Sequence, residues 1–214
     1  MWWNIAAQHR QEFGDWHTHE HFPERMAIPG FLRGTRWADI GGGEGFFVMY
    51  ELDDYATLTS DAYLERLNNP TPWSTKMMPH HQGMVRSQCR VLGSQGSGIG
   101  GFALTLRLSP LQGRDQALRA HLDEMARAFV RRPGGVACHL LRTETPRAAQ
   151  TLEQRIRGGV DAAADWIVVM SGYDADMMLA LQRDLAQGDA LQLHGSGAPP
   201  VCGLYRLACS AAAS

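Results

Sequence analysis

Five of the nine histidines stand at His17, His19, His21, His80 and His81. Imidazole has an ordinary pKa near neutrality, so it can give or take a proton at physiological pH and can also ligate a metal. On a helix, His17 and His21 are four apart and share a face, while His19 points nearly opposite. Glu20 and Glu24 flank that face. The segment reads either as a histidine–carboxylate site or as a polar helix face whose imidazoles bond to the backbone. Pro23 disfavours helical geometry at Phe22 and is expected to break the helix there. HxxxH without a wider motif does not specify a metal, and no metal ligands are assigned. His80 and His81 are neighbours and cannot easily face one site together, so at most one of them pairs with His21 in general acid–base work. Arg36 shares its strand side with Leu32 and Gly34, which leaves room for its fork to bind a carboxylate or enolate. Trp37 and Tyr50 either line an aromatic pocket or pack the core. The expected catalytic set is His21, His81, His80 and Arg36; the expected substrate-binding set is His17, Trp37 and Tyr50.

Strands and helices must hold these residues. Trp2 to Ala6 reads as a strand and Gln8 to Ile28 as mostly helical. Phe31 to Ile40 alternates as a strand does. A glycine-rich loop, Gly41-Gly42-Gly43-Glu44-Gly45, leads to the apolar strand Phe46 to Leu52. Ser60 is placed to cap a helix to about Leu67, which Pro70 and Pro72 stop. Val85 to Leu92 alternates again. The run from Gly93 to Gly101 is dense in glycine and serine and reads as a connector. After it the order repeats: strand Phe102 to Leu108, a helix from Asp115 to about Arg131, strand Val136 to Leu141, strand Trp166 to Met170, a helix capped by Asp174, and strand Val201 to Ala208. Pro29-Gly30 and Pro133-Gly134 precede matching strands. At that offset His17 falls on His121, His21 on Met125 and Arg25 on Phe129.

Each half is thus β-α-β-β-α-β, the ferredoxin-like order. The expected fold class is α+β: tandem ferredoxin-like repeats packed sheet to sheet as an intrachain dimeric α/β barrel. Residues 1–93 form the His-rich first half, 94–101 the linker and 102–214 the second half, with a polar insertion at 145–159. Strands apolar on both sides require a second cover, and the other half supplies it, with a small-molecule cavity at the centre. One polar and one apolar half imply a single site per chain.

The stretch from Glu12 to Arg25, followed by Ile28-Pro29-Gly30-Phe31-Leu32-Arg33-Gly34, resembles the dimeric α/β-barrel superfamily, and within it EthD-like and stress-responsive barrel proteins. Tyr50-Glu51, Ser60-Asp61-Ala62-Tyr63 and Asn69-Pro70-Thr71-Pro72-Trp73 are similar to the same group. The resemblance covers about residues 1–92. It implies the fold, and a range of activities that includes monooxygenases, isomerases, polyketide cyclases and haem peroxidases.

Composition narrows the partners. The chain has 214 residues, 44% hydrophobic, with a net charge of −2 from 20 basic and 22 acidic side chains. That charge balance supplies no field for phosphate backbones, so no nucleic-acid partner is expected. Apolar runs fall short of the roughly 20 residues of a membrane span. Met1-Trp2-Trp3-Asn4 opens without a basic or apolar leader, and four cysteines without CxxC spacing suit a reducing compartment; the expected location is cytoplasmic. No P-loop, GxGxxG after a strand, GxSxG or CxxCH occurs. The expected ligand is a small apolar or aromatic molecule, no cofactor is expected, and the chain is a monomer or homodimer. Three functions fit: histidine acid–base enzymology of the isomerase, cyclase or cofactor-free monooxygenase type; a non-catalytic binding or stress-related barrel; and a metal or haem protein.

Overall fold

The structure is a computed structural model that describes residues 1–41, 43, 45–146, 149–158 and 161–213. Its elements run β1 (Trp2–Asn4), α1 (Arg10–Trp16), a π-helical turn (His17–His21), α2 (Phe22–Met26), β2 (Phe31–Asp39), β3 (Gly45–Leu52), α3 (Asp61–Asn68), α4 (Pro72–Met77), β4 (Gln82–Val85) and β5 (Cys89–Gln95). There follow β6 (Phe102–Leu108), α5 (Asp115–Phe129), β7 (Gly135–Thr143), α6 (Leu152–Arg157), β8 (Trp166–Gly172), α7 (Ala175–Gln187), α8 (Ala190–Leu193) and β9 (Val201–Ala212). The fold is α+β, with antiparallel ladders throughout the named strand pairs.

Two compact units emerge: Met1–Gln88 with Thr145–Ala162 and Ala208–Ser214, and Cys89–Glu144 with Ala163–Leu207. In the first unit the strands lie in the order β4-β1-β3-β2, with the end of β9 beside β2. In the second, the start of β9 is followed by β6-β8-β7, with β5 beside β7. Both are the ferredoxin-like arrangement with one added edge strand.

Local chemistry explains most element ends. The Ser60 and Asp174 side chains accept from the backbone N–H of Tyr63 and Met177, capping α3 and α7. Thr151 and Gln154 close a capping box on α6. In α5, Leu118, Leu122, Ala126 and Phe129 are buried, one stripe at helical spacing.

Several expectations are corrected. Pro72 does not merely end a helix; it opens α4, where its missing N–H has no role to lose. The expected strand Val85 to Leu92 is broken at Arg86–Gln88 into β4 and β5. Glycine-rich 94–101 is not all connector, because β5 continues to Gln95 and pairs with Cys138 of β7. The inserted stretch 145–159 falls, in its described residues, within the first unit. Asp115 lies inside α5, and Arg114 precedes it without a side-chain cap. Gly42 and Glu44 of the expected loop, and Arg147, Ala148 and Gly159 of the insertion, lie outside the described residues.

The repeats can be aligned by register. Arg36 pairs with Val48 as Leu140 pairs with Val168, and Gly34 with Tyr50 as Cys138 with Met170. This matches Val48 to Val168, one position from the expected Val169. On the helices, buried Phe13, His17, Phe22 and Arg25 correspond to Leu118, Leu122, Ala126 and Phe129. The spacing differs only between His17 and Phe22, where the π turn adds one residue. His17 therefore corresponds to Leu122, not His121, and His21 has no counterpart.

Candidate functional site

The site is built where α1, the π turn and α2 lie on one face of the first unit's sheet. Pro23 is the local cause of the turn's shape. It has no N–H to give, and its ring crowds the carbonyl four residues earlier. The chain widens instead of breaking, so the Phe22 N–H reaches the carbonyl of His17, five residues back. The helix expected to stop at Phe22 continues to Met26. The wide turn turns both His21 and Phe22 inward, while His19 stays exposed.

His17 and His21 have ring centroids 5.1 Å apart. His21 lies tilted by 40° against Trp16 at 4.6 Å, and His17 meets Phe22 edge-on at 4.4 Å. From the loop before β4, His81 comes in beside Trp3 at 5.0 Å and Phe13 at 5.7 Å. Its Nδ1 lies 3.1 Å from the carbonyl of Met78. A carbonyl only accepts, so His81 donates from Nδ1 and keeps the Nε2 lone pair free.

All three imidazoles are held neutral. Burial is the largest cause for each. For His17 the Arg36 charge adds to it, and for His21 the Arg25 charge does; both sit well below the ordinary histidine value. Burial, then the charge of Arg157, lowers His81 to about 4.

From the sheet, Arg36 and Tyr50 face this cluster. Neighbouring strand residues alternate sides. Arg36 donates to the carbonyl of Gly14 at 3.4 Å and the hydroxyl of Thr18 at 3.1 Å, both on the helical layer. Tyr50 packs edge-on against Phe22 at 5.8 Å, and burial raises its phenol pKa. Two more cations approach. Arg25 makes a buried ion pair with Glu153 of α6, and Arg157 pairs with Asp161.

Six buried polar atoms in this layer have no hydrogen-bond partner among the described residues: Trp3 Nε1, His17 Nδ1, His21 Nδ1, Arg25 Nη1, Arg36 Nε and Tyr50 Oη. Native interiors leave few such atoms.

Of the expected site residues, the structure brings together His17, His21, His81, Arg36 and Tyr50. It does not bring in His80 or Trp37. His80 stacks on His9 at 3.8 Å, beside Glu12 and Lys76. Trp37 stacks on Phe47 at 5.1 Å, and Trp2 stacks on Phe47 from its other partner strand, all on the opposite sheet face from Arg36. The clustered histidines lie between the helices and the sheet of the first unit. Glu20 does not orient an imidazole; it accepts from Thr71 and Trp16. Glu24 pairs with Arg66. Among the described residues, no group of three or more His, Cys, Asp or Glu side chains could hold a metal ion. Sequence reasoning missed Trp3, Arg25, Glu153 and Arg157. Arg25 was findable, one turn beyond His21 on the same face; Glu153, far along the chain, gave no signal.

No protein-family model matches the chain, and no curated protein matches it in sequence. Solved structures do match. An anthrone oxidase-like protein aligns with a TM-score of 0.63 at 14% identity, covering 100% of this chain and 91% of that one. A candidate monooxygenase from Fusobacterium nucleatum subsp. nucleatum aligns with a TM-score of 0.61 at 8% identity, covering 99% and 91%. A second, from Lactobacillus acidophilus NCFM, gives 0.51 at 10% identity, covering 100% and 94%. At these identities the likeness is one of fold. Among the described residues, no helix is long and apolar enough to cross a membrane.

Proposed function

We propose that the chain is a small-molecule enzyme of the cofactor-free monooxygenase type, acting on an aromatic ketone of the anthrone kind. The observation that carries this reading is the convergence of three neutral imidazoles, His17, His21 and His81, with Arg36 and Tyr50 in an aromatic-walled layer. A neutral imidazole has a free lone pair. It takes a proton from the benzylic carbon that is conjugated through the ring to the substrate carbonyl, leaving an enolate whose oxygen Arg36 stabilises. The charge of that enolate also raises the basicity of the imidazole beside it. The electron-rich carbon reduces dioxygen, forming a C–O bond; the peroxide is protonated by the imidazolium and loses water to leave a new carbonyl. One substrate and one dioxygen become one quinone-type product and one water.

His21 and His81 are assigned the proton transfer, His17 and Tyr50 the substrate contacts. His80 and Trp37 keep no part in this reading. The likeness of residues 12–34 to EthD-like proteins enters as part of the same proposal, as does a cytoplasmic location. All assigned residues lie within one unit of one chain, so no second copy is required. A binding-only protein is the second reading, favoured by the low basicity of His81. Oxygen uptake and quinone formation with anthrone, in the purified protein and in His21→Ala, tests both. Turnover that His21→Ala lowers about a hundredfold or more supports the enzyme. Tight anthrone binding without oxygen uptake selects the binder, and full activity in a folded His21→Ala refutes the assignment.

A further inference from the structure

Of the three arginines around the histidines, two are paired with a carboxylate. Arg25 and Glu153 meet at 2.6 Å, and Arg157 and Asp161 at 2.7 Å, so each of those cations has its carboxylate. Arg36 has none. It is 7% exposed, and no carboxylate lies within ion-pair distance of it among the described residues. Its Nη atoms reach a backbone carbonyl and a hydroxyl, and its Nε reaches nothing. The other groups nearby able to carry negative charge are the Tyr50 phenol and the Cys209 thiol, and burial keeps the phenol protonated. A buried cation without a carboxylate partner is costly.

Donors without partners occur elsewhere in the same layer. Trp3 Nε1 and Arg25 Nη1 can only donate, the Tyr50 hydroxyl can donate, and all three are buried and unpartnered. The second repeat shows the alternative. Its matching positions to His17, Arg25, Arg36 and Tyr50 are Leu122, Phe129, Leu140 and Met170, all buried and apolar. The same fold is therefore satisfied without any of these charges, and packing alone does not require them.

We infer that the first unit receives an aromatic monoanion, its oxyanion held at Arg36 Nε with the Tyr50 hydroxyl alongside. This rests on the site proposed above but concerns binding, not turnover. Carboxylate and phenolate share the chemistry, a planar aromatic ring bearing one ionised oxygen group. Arg36 contributes the charge, and the rings of Phe13, Trp16 and Trp3 contribute the apolar walls.

The test is a fluorescence titration of the full chain with benzoate, 4-nitrophenolate at mildly alkaline pH, and benzamide as the neutral isostere. Trp3 and Trp16 report occupancy. The expected result is that at least one anion binds about tenfold or more tightly than benzamide. Arg36→Leu, which copies the second repeat's Leu140, removes that preference while circular dichroism stays unchanged. Arg36→Lys, which keeps the charge without the fork, retains part of it. Stronger binding of benzoate assigns a carboxylate ligand; stronger binding of 4-nitrophenolate assigns a phenolate. Equal binding of benzamide, no binding of any probe, or an anion preference that survives in folded Arg36→Leu overturns the inference. Anion preference with no oxygen uptake on any aromatic leaves it standing and removes only the enzymatic reading. Oxygen uptake without anion preference does the reverse.

Discussion

Arg25 and Glu153, separated by 128 positions in the chain, meet through two hydrogen bonds of 2.6 and 2.7 Å from one guanidinium nitrogen, with both side chains almost fully buried. The pair ties α6 to α2 at the edge of the histidine cluster. Removing one partner of such a pair leaves a charge buried alone and costs about 3–5 kcal/mol. Glu153→Gln and Arg25→Met should each lower the urea midpoint accordingly. Arg25→Met with Glu153→Leu should recover most of the loss, because the second repeat packs Phe129 where Arg25 stands. A double variant no more stable than the singles would contradict this account of the pair.

Stability should fall in acid because the buried histidines are neutral. Their folded pKa values lie below the ordinary value, so the unfolded chain binds protons that the folded chain refuses. The stabilisation is complete above the unfolded value of 6.5 and is lost as pH falls towards about 4, the folded value for His81. For His81 alone the loss is about 3 kcal/mol. Urea denaturation across that range measures it. His81→Phe should flatten the decline, and an unchanged slope in that variant would show that His81 is not buried neutral.

Gly34 sets the place of Tyr50. A Cβ at residue 34 would stand 2.8 Å from Tyr50 Cε1 and 3.0 Å from Phe22 Cε1. Gly34→Ala must displace one of these rings, at about 1–3 kcal/mol. Thermal unfolding reads the cost, and tryptophan fluorescence reads any change in the layer. A variant as stable as the parent would mean the rings have slack that this packing does not show.

The cysteines divide by burial. Burial pushes the Cys138 thiol up to about 12, so almost none is thiolate at neutral pH. A thiol reagent should modify Cys138 only after unfolding, as peptide mapping would show. Labelling of Cys138 in the native protein at a rate typical of a free thiol would contradict its buried position on β7.

How much of this the sequence disclosed depends on whether the signal was local. The Ser60 and Asp174 caps and the strand expected from Phe31 follow from near neighbours, and they fold as read apart from the strand's end at Asp39 instead of Ile40. The His17–His21 spacing was legible too. The π turn was not, because Pro23 looks like a terminator until a wider turn is allowed. The side of the sheet to which Arg36 belongs was not legible either. Alternation says that Arg36 and Trp37 part company but not which of them the helices cover. Ion pairs such as Arg25–Glu153 depend on long-range packing and leave no periodic trace. His80 and His81 show the limit most simply: adjacent residues, of which only the structure says that His81 turns inward and His80 stacks on His9.

In the proposed function, neutral, buried imidazoles of the first unit do the chemistry. The most direct measurement is the pH profile of kcat/KM for oxygen uptake with anthrone, in the parent and in His21→Ala. The account predicts a profile flat through neutrality that declines only as pH falls well below the ordinary histidine value of 6.5, towards about 4, with the activity lost in His21→Ala. An acid limb centred at 6.5, or an undiminished plateau in His21→Ala, would contradict it.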